Sequence, residues 1–399
     1  MCSLSNRITL PKTILFITSW FPSKKHPSLG NFVLRHAQAA AKSNKVVVLY
    51  ATALDDIDRS SLEETTSDGV EVWTYFYPTI NRGGKLKSLV KAGLYMRAWR
   101  QLISQYIYSR GKPDLVHLNV MFPAGRIVRD LKTRYKIPYV VSEHWTGYLP
   151  EDGRFKKLPL MARRMIRNTA REANRILPVS EDLEAALISE GIGRRYQRLA
   201  NVIDTNKFSL PLERKDEHLK LLHISNLHGE QKNIRGLFSA LSKLKEQRSF
   251  ELTVVGEEGA EKAKELAEEF GLAEQCVFLQ KLTQDEVIAE MQKHQVLLLF
   301  SRFENMPCVL IEAAATGMKI VSTDVGGISE FFNREEKNAI LVQSEDEEAL
   351  VESLLQLDKF EWKTEMELHT WAEENFSLEK IGEQLDSIYE EDLHEKDKA

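Results

Sequence analysis

Glu304 and Glu312 stand eight residues apart in the segment Val296–Glu330, VLLLFSRFENMPCVLIEAAATGMKIVSTDVGGISE. A buried strand ends near Phe300, and a short loop follows with Arg302, Glu304 and Asn305. Pro307 suits the first position of a helix, with Asn305 near its cap. A helix starting there leaves the N–H groups of Cys308 and Val309 unpaired, and with the helix dipole these make a place for a phosphate. At helical spacing Glu312 meets Cys308, Val309, Ala315 and Thr316, none of them a cation. A carboxylate in such company needs a partner. A solvated face, a structural hydrogen bond or a pair of ligand hydroxyls would each provide one. A fully helical span would hold the two acids roughly 12 Å apart at most. That suits an extended ligand with a sugar at each end of a diphosphate, and not two carboxylates sharing one glycosidic bond.

The elements that must hold these residues alternate regularly. Short, β-branched, apolar runs recur from Ile14–Thr18 to Ile176–Val179 and again from Leu219–Ile224 to Ala339–Val342, without polar alternation. This is the pattern of parallel strands covered on both faces. Between them, segments such as Phe32–Ala41, Gly125–Arg134, Leu237–Lys245 and Asp285–Lys293 space apolar residues at three and four, as helices do. Strand–helix alternation predicts α/β architecture with doubly wound sheets. The length of 399 residues accommodates two such domains. Charge divides the chain in the same place. Residues 1–210 hold 33 Lys+Arg and 18 Asp+Glu, whereas residues 211–399 hold 21 and 41. The halves are therefore expected to meet different partners, and the stretch Asn201–Lys215 reads as the linker. Expected boundaries are 1–205 for an N-terminal domain, 206–376 for a second domain, and 377–399 for a last helix that crosses back.

Other classes are excluded by composition. With 43% hydrophobic and 28% charged residues the chain can bury a core. The three cysteines, Cys2, Cys276 and Cys308, share no metal-ligand spacing, so neither a disulfide scaffold nor a cysteine metal site is expected. No apolar run approaches the length of a membrane span, and Ile14–Phe21 reads as a first strand rather than a signal. The expected home is the cytoplasm.

The segment E-N-M-P-C-V-L-I-E resembles the E-x7-E motif of the family 4 retaining glycosyltransferases, which have the GT-B fold of two Rossmann-like domains facing across a cleft. Other segments fit in order: Ser19–Ala41 with the first strand–loop–helix, Ser142–Gly147 (SEHWTG) with the histidine loop, Val179–Leu183 (VSEDL), Asn201–Phe208 (NVIDTNKF), Val254–Gly259 and Asp324–Glu330 (DVGGISE). The resemblance implies that Glu304 lies against the transferred sugar and that Glu312 takes the nucleotide ribose. It implies that main-chain groups of Asn305, Met306, Pro307, Cys308 and Val309 hold sugar hydroxyls and diphosphate. His144 would touch the donor sugar from the first domain, Lys232 would neutralise the leaving diphosphate, and Lys281 and Gly256 would border the base. Gly30 and Asn31 belong to the acceptor-side loop. No cofactor and no metal are implied, since the nucleotide-diphosphate sugar is the co-substrate. There are two departures. Asn226 stands where an arginine is usual, six residues before Lys232, leaving His228, Arg235 or Arg302 to compensate, and a lone Gly30 replaces paired glycines. A sugar-nucleotide epimerase of the same fold and an inactive nucleotide-sugar-binding relative remain open.

The remaining candidates have plainer readings. His117 ends a strand and reads as a core or cleft-lining residue, and Cys308 has neither a histidine nor a second cysteine near it in sequence to make it a nucleophile. Arg82–Arg110 and Arg154–Arg167 mix basic with apolar and aromatic residues. They are expected to rest on an anionic membrane, at the inner face, where a glycan or lipid-linked acceptor would be met. Nucleic acid is not expected as a partner.

Overall fold

The computed structural model describes residues 11–25, 29–55, 57–79, 87–212, 218–227, 229–256, 258–280 and 282–396. The N-terminal sheet comprises β1 (Thr13–Thr18), β2 (Lys45–Leu54), β3 (Ser61–Ser67), β4 (Val70–Pro78), β5 (Leu115–Asn119), β6 (Tyr139–Glu143) and β7 (Arg175–Pro178), in the order β3-β4-β2-β1-β5-β6-β7. Helices α1 (Asn31–Ala40), α2 (Lys87–Arg110), α3 (Gly125–Tyr135), α4 (Arg154–Lys157), α5 (Leu160–Glu172) and α6 (Glu181–Ser189) accompany it. The strands are parallel, as their apolar runs predict, except β3, which lies antiparallel to β4. That hairpin is a correction to the purely parallel expectation. Its sequence, SLEETTS, is too polar to read as a buried strand, and it runs along the sheet edge largely exposed. Asp68 and Gly69 both take positive φ, 45° and 83°, and make the two-residue turn.

The second sheet comprises β8 (Leu219–Ile224), β9 (Phe250–Val255), β10 (Cys276–Leu279), β11 (Val296–Leu299), β12 (Lys319–Thr323) and β13 (Ile340–Val342), all parallel, in the order β10-β9-β8-β11-β12-β13. Its helices are α7 (Ile234–Lys245), α8 (Ala260–Glu269), α9 (Gln284–Lys293), α10 (Cys308–Ala315), α11 (Glu347–Leu355), α12 (Glu365–Phe376) and α13 (Leu378–Lys396). The strand order reverses between β8 and β11, and the carboxyl ends at such a reversal are where doubly wound sheets place their ligands. Lys232 and Glu304 come from the loops that leave these two strands.

The last helix packs on the first sheet's side of the molecule. Ile381, Leu385, Ile388 and Tyr389 of α13 are buried with Ile14, Phe16, Val33 and Ala37. Each such side chain contributes about 2 kcal/mol of burial. Tyr389 shares a 2.6 Å hydrogen bond with His117 Nδ1, and Ser142 Oγ lies 2.7 Å from the other ring nitrogen. His117 is thus a satisfied core histidine, held neutral by burial. Lys12 and Asp386, 3.0 Å apart, and Arg175 and Asp392, 3.1 Å apart, tie the same helix down.

Candidate active site

Glu304 sits in the loop after β11 and is only 5% exposed. Ser301 Oγ donates to its Oε1 at 2.8 Å, Gln231 Nε2 donates to Oε2 at 3.4 Å, and Lys232 pairs with Oε1. The two loops are stapled together: Arg302 N donates to the Gln231 carbonyl at 2.8 Å, and Gln231 Nε2 donates to the Phe303 carbonyl at 3.1 Å. Lys232 is aimed by Asn233, which caps α7 by accepting from Gly236 N at 3.3 Å. Behind the loop, a Cβ on Gly326 would lie 1.9 Å from the Glu304 carbonyl oxygen, and its φ is 55°. Only glycine fits there.

The helix begins one residue later than the sequence predicts. Pro307 is the cap residue, with extended backbone, and Cys308 is the first helical residue. Asn305 does not cap: it lies two residues before Pro307, and its Nδ2 donates to the His144 carbonyl of the opposite domain at 2.7 Å. The start of α10 therefore has no side-chain cap and no acidic residue in its first turn, which leaves its dipole free for an anion. Met306 is buried, and its carbonyl accepts from Asn201 Nδ2 at 2.6 Å. Burial pushes the Cys308 thiol up to about 11, which removes it as a nucleophile near neutral pH.

Glu312 has a cation after all. Arg35 Nη2 of α1, in the first domain, lies 2.7 Å from Glu312 Oε1, and both side chains are nearly buried. Burial alone would lower the Arg35 pKa; the charges of Glu312 and Cys308 outweigh it and raise it. This cation is one that no local spacing reveals.

His144 is held from behind by Glu143. That buried carboxylate accepts from the backbone N–H groups of Met121 at 3.1 Å, His144 at 3.0 Å and Trp145 at 3.1 Å, and from the Tyr148 hydroxyl at 3.3 Å. Desolvation raises the Glu143 pKa against these bonds. The His144 ring stacks at 4.3 Å from Phe32 and lies 5.4 Å from His36. Neither of its nitrogens has a hydrogen-bond partner of good geometry, the Asn201 side chain being the polar neighbour. Burial holds its pKa well below the usual histidine range, so the ring is neutral and can both donate and accept. Asn201 Oδ1 and Asn305 Oδ1 are likewise buried and unpartnered. Buried polar atoms left open call for a partner.

Other predicted residues lie farther from this cluster or outside it. Gly30 caps α1 with φ 74°, and a Cβ there would meet the Trp20 carbonyl oxygen at 2.3 Å, so this glycine shapes the loop; Asn31 beside it is exposed. Gly256 is packed against Leu227 and the Ser225 carbonyl. Asn226 is exposed in the loop after β8. Of the proposed substitutes for the usual arginine, Arg302 is engaged with Glu230 and Glu345, and Arg235 with Glu269; Lys281 and His228 lie outside the described residues. Arg35, Glu143, Asn201, Gln231 and Ser301 were not singled out as site residues from sequence. Glu143 and Asn201 fall inside the quoted SEHWTG and NVIDTNKF segments, so their signal was present. Among the described residues no group of three or more His, Cys, Asp or Glu side chains is arranged to hold a metal ion.

Comparisons agree with this architecture. The family model described as Glycosyltransferase Family 4 matches residues 29–207, and that described as Glycosyl transferases group 1 matches residues 204–373. The chain is 25% identical to a putative teichuronic acid biosynthesis glycosyltransferase, TuaC, of Bacillus subtilis, over 94% of this chain and 98% of that one. It is 27% identical to a D-inositol 3-phosphate glycosyltransferase of Corynebacterium urealyticum, over 61% of this chain and 63% of that relative. Among solved structures, sucrose-phosphate synthase of Thermosynechococcus elongatus superposes with a TM-score of 0.76 at 17% identity, over 95% of this chain and 98% of that one. Anabaena HepE in complex with UDP-glucose superposes with a TM-score of 0.70 at 16% identity, over 95% and 100%. These two likenesses bear on fold alone.

Proposed function

Because the chain belongs to glycosyltransferase family 4, we propose that it moves a sugar from a nucleotide-diphosphate sugar, with retention and without a metal, onto a glycan or lipid-linked glycan during cell-surface polysaccharide synthesis. One observation carries the reading: a buried carboxylate, Glu304, paired with Lys232 beside the uncapped start of α10, with the neutral, unpartnered His144 ring across the seam. Breaking a sugar–phosphate bond builds negative charge on the departing diphosphate and positive charge on the sugar. The N–H groups of Cys308 and Val309 and the ammonium of Lys232 answer the first. Lys232 has three donors, so it can keep Glu304 and still take a phosphate oxygen. Glu304 answers the second, while His144, fixed by Glu143, positions sugar hydroxyls. The naming of TuaC supports the polysaccharide setting, and the HepE complex is a case of this fold holding UDP-glucose.

The acceptor belongs to the first domain, against an anionic membrane surface. At the start of α5, Leu160 and Met161 are 76% and 85% exposed, close in sequence to Lys156, Lys157 and Arg164. Apolar residues set among cations suit an acyl–headgroup boundary. No helix among the described residues is long and apolar enough to cross a membrane.

The test begins with a thermal-shift screen of nucleotide-diphosphate sugars, in which a donor raises the melting temperature. The anomeric configuration of the product is then read by NMR. No stabilising compound defeats the donor reading, an inverted anomer defeats retention, and an epimerised sugar formed without acceptor assigns the chain to the epimerases. Co-sedimentation with phosphatidylglycerol vesicles, lost in Met161→Asp, checks the membrane surface.

A further inference from the structure

Arg35 has had no part in the reaction so far, yet it is a buried charge placed at the site. It reaches from α1 to Glu312 across the seam, 2.7 Å from Oε1, with side-chain exposures of 10% and 13%. Its charge also acts on the Cys308 side chain at the start of α10. Taking two charges out of water to join two domains is a poor way to gain stability, since apolar residues of similar volume would hold the seam as well. The pair therefore calls for another reason. Glu312 shares its face of α10 with Cys308, Val309, Ala315 and Thr316, none of which can balance a carboxylate. A guanidinium does not give up its proton, and its planar fork fixes a carboxylate's orientation.

Resting on the reading that Glu312 takes the ribose of a nucleotide, we propose that Arg35 is the positioning residue for nucleoside recognition. It engages one oxygen of the Glu312 carboxylate and leaves Oε2 presented to the ribose hydroxyls. The nucleotide is thus read in full only when the first domain has closed on the second. Arg302 and Arg235 are engaged with carboxylates of the second domain itself; Arg35 makes the reading conditional on closure because it comes from the other side.

The experiment is calorimetry on the full chain with UDP, GDP, ADP and CDP, then with the 2′,3′-dideoxy counterpart of whichever binds tightest. The wild type is expected to prefer the ribose form by about tenfold or more, the worth of a hydrogen bond to a charged group. Arg35→Met is expected to lose that preference while its affinity for the dideoxy form changes little. Glu312→Gln should lose it equally, and the double variant should lose no more. Arg35→Lys, whose ammonium lacks the fork, should keep only part of it. If Arg35→Met weakens both forms equally, or leaves the preference intact, Arg35 has a structural role alone and the proposal falls. If Arg35→Met does not fold, Arg35→Lys decides, and a full wild-type preference in it overturns the proposal. If none of the four nucleotides binds the wild type, the donor reading itself fails, and this inference goes with it.

Discussion

The two acidic residues of the E-x7-E segment are neutralised in opposite ways. Glu304 is met by Lys232 from a loop of its own domain, and that loop is stapled to its own by one backbone hydrogen bond and one from the Gln231 side chain. Glu312 is met by Arg35 from the other domain. The first pair survives any separation of the domains; the second exists only when they touch. On the proposed reading, the Glu304–Lys232 pair at the reacting end is built within one domain, whereas the placing of His144 and the nucleotide end both depend on contact between the domains. Two further contacts belong to the conditional set: the Asn305 amide on the His144 carbonyl at 2.7 Å, and Glu330, whose carboxylate accepts from Glu181 N at 2.7 Å at the start of α6.

The sharpest way to break this contrast is Glu304→Gln. Transfer is expected to fall by about 10² to 10³-fold, on the scale of a lost electrostatic stabiliser, while nucleotide affinity in calorimetry stays close to wild type. A loss of affinity matching the loss of rate would mean that both acids serve binding, and the division would fail. A second test uses pH. His223 in β8 is buried between the Leu298 carbonyl and Ser225 Oγ, and burial brings its pKa down from 6.5 to about 4. The folded chain keeps it neutral, whereas the unfolded chain takes up a proton below about 6.5. Stability is complete above that pH and is lost as pH falls toward 4, where this residue costs about 3 kcal/mol. The buried neutral His36, His117 and His144, shifted in the same direction, add to the loss. Melting temperatures measured from pH 7 to 4 should fall steadily, and a flat profile would show that these rings are not buried as described. The smallest effect is expected from Asn305→Ala, which removes one neutral hydrogen bond across the seam, worth about 1 kcal/mol. Its donor KM should rise about fivefold with kcat little changed, and a change confined to kcat would place Asn305 with the Glu304–Lys232 pair.

Much of the fold was legible. The apolar runs of β1, β5, β8 and β11 could be read directly because parallel strands are buried on both faces and need no alternation to mark them. The hairpin of β3 was missed because an exposed edge strand carries no apolar signal, although Asp68-Gly69 offered the turn. The start of α10 falls one residue later than the spacing predicts because Pro307 takes an extended backbone and stands as the cap, leaving Cys308 to open the helix.

What the chain's order of residues settled on its own is the doubly wound architecture and the setting of two acids around a helix start, since these follow from local spacing, while Lys232 and His144 were pointed to only by resemblance to the family's motifs. Which cation each acid meets was decided only by folding. Arg35 and Glu312 come from opposite domains, and nothing in either neighbourhood records the other. The closing of two surfaces supplies a contact, and a low-dielectric setting, that no local pattern encodes.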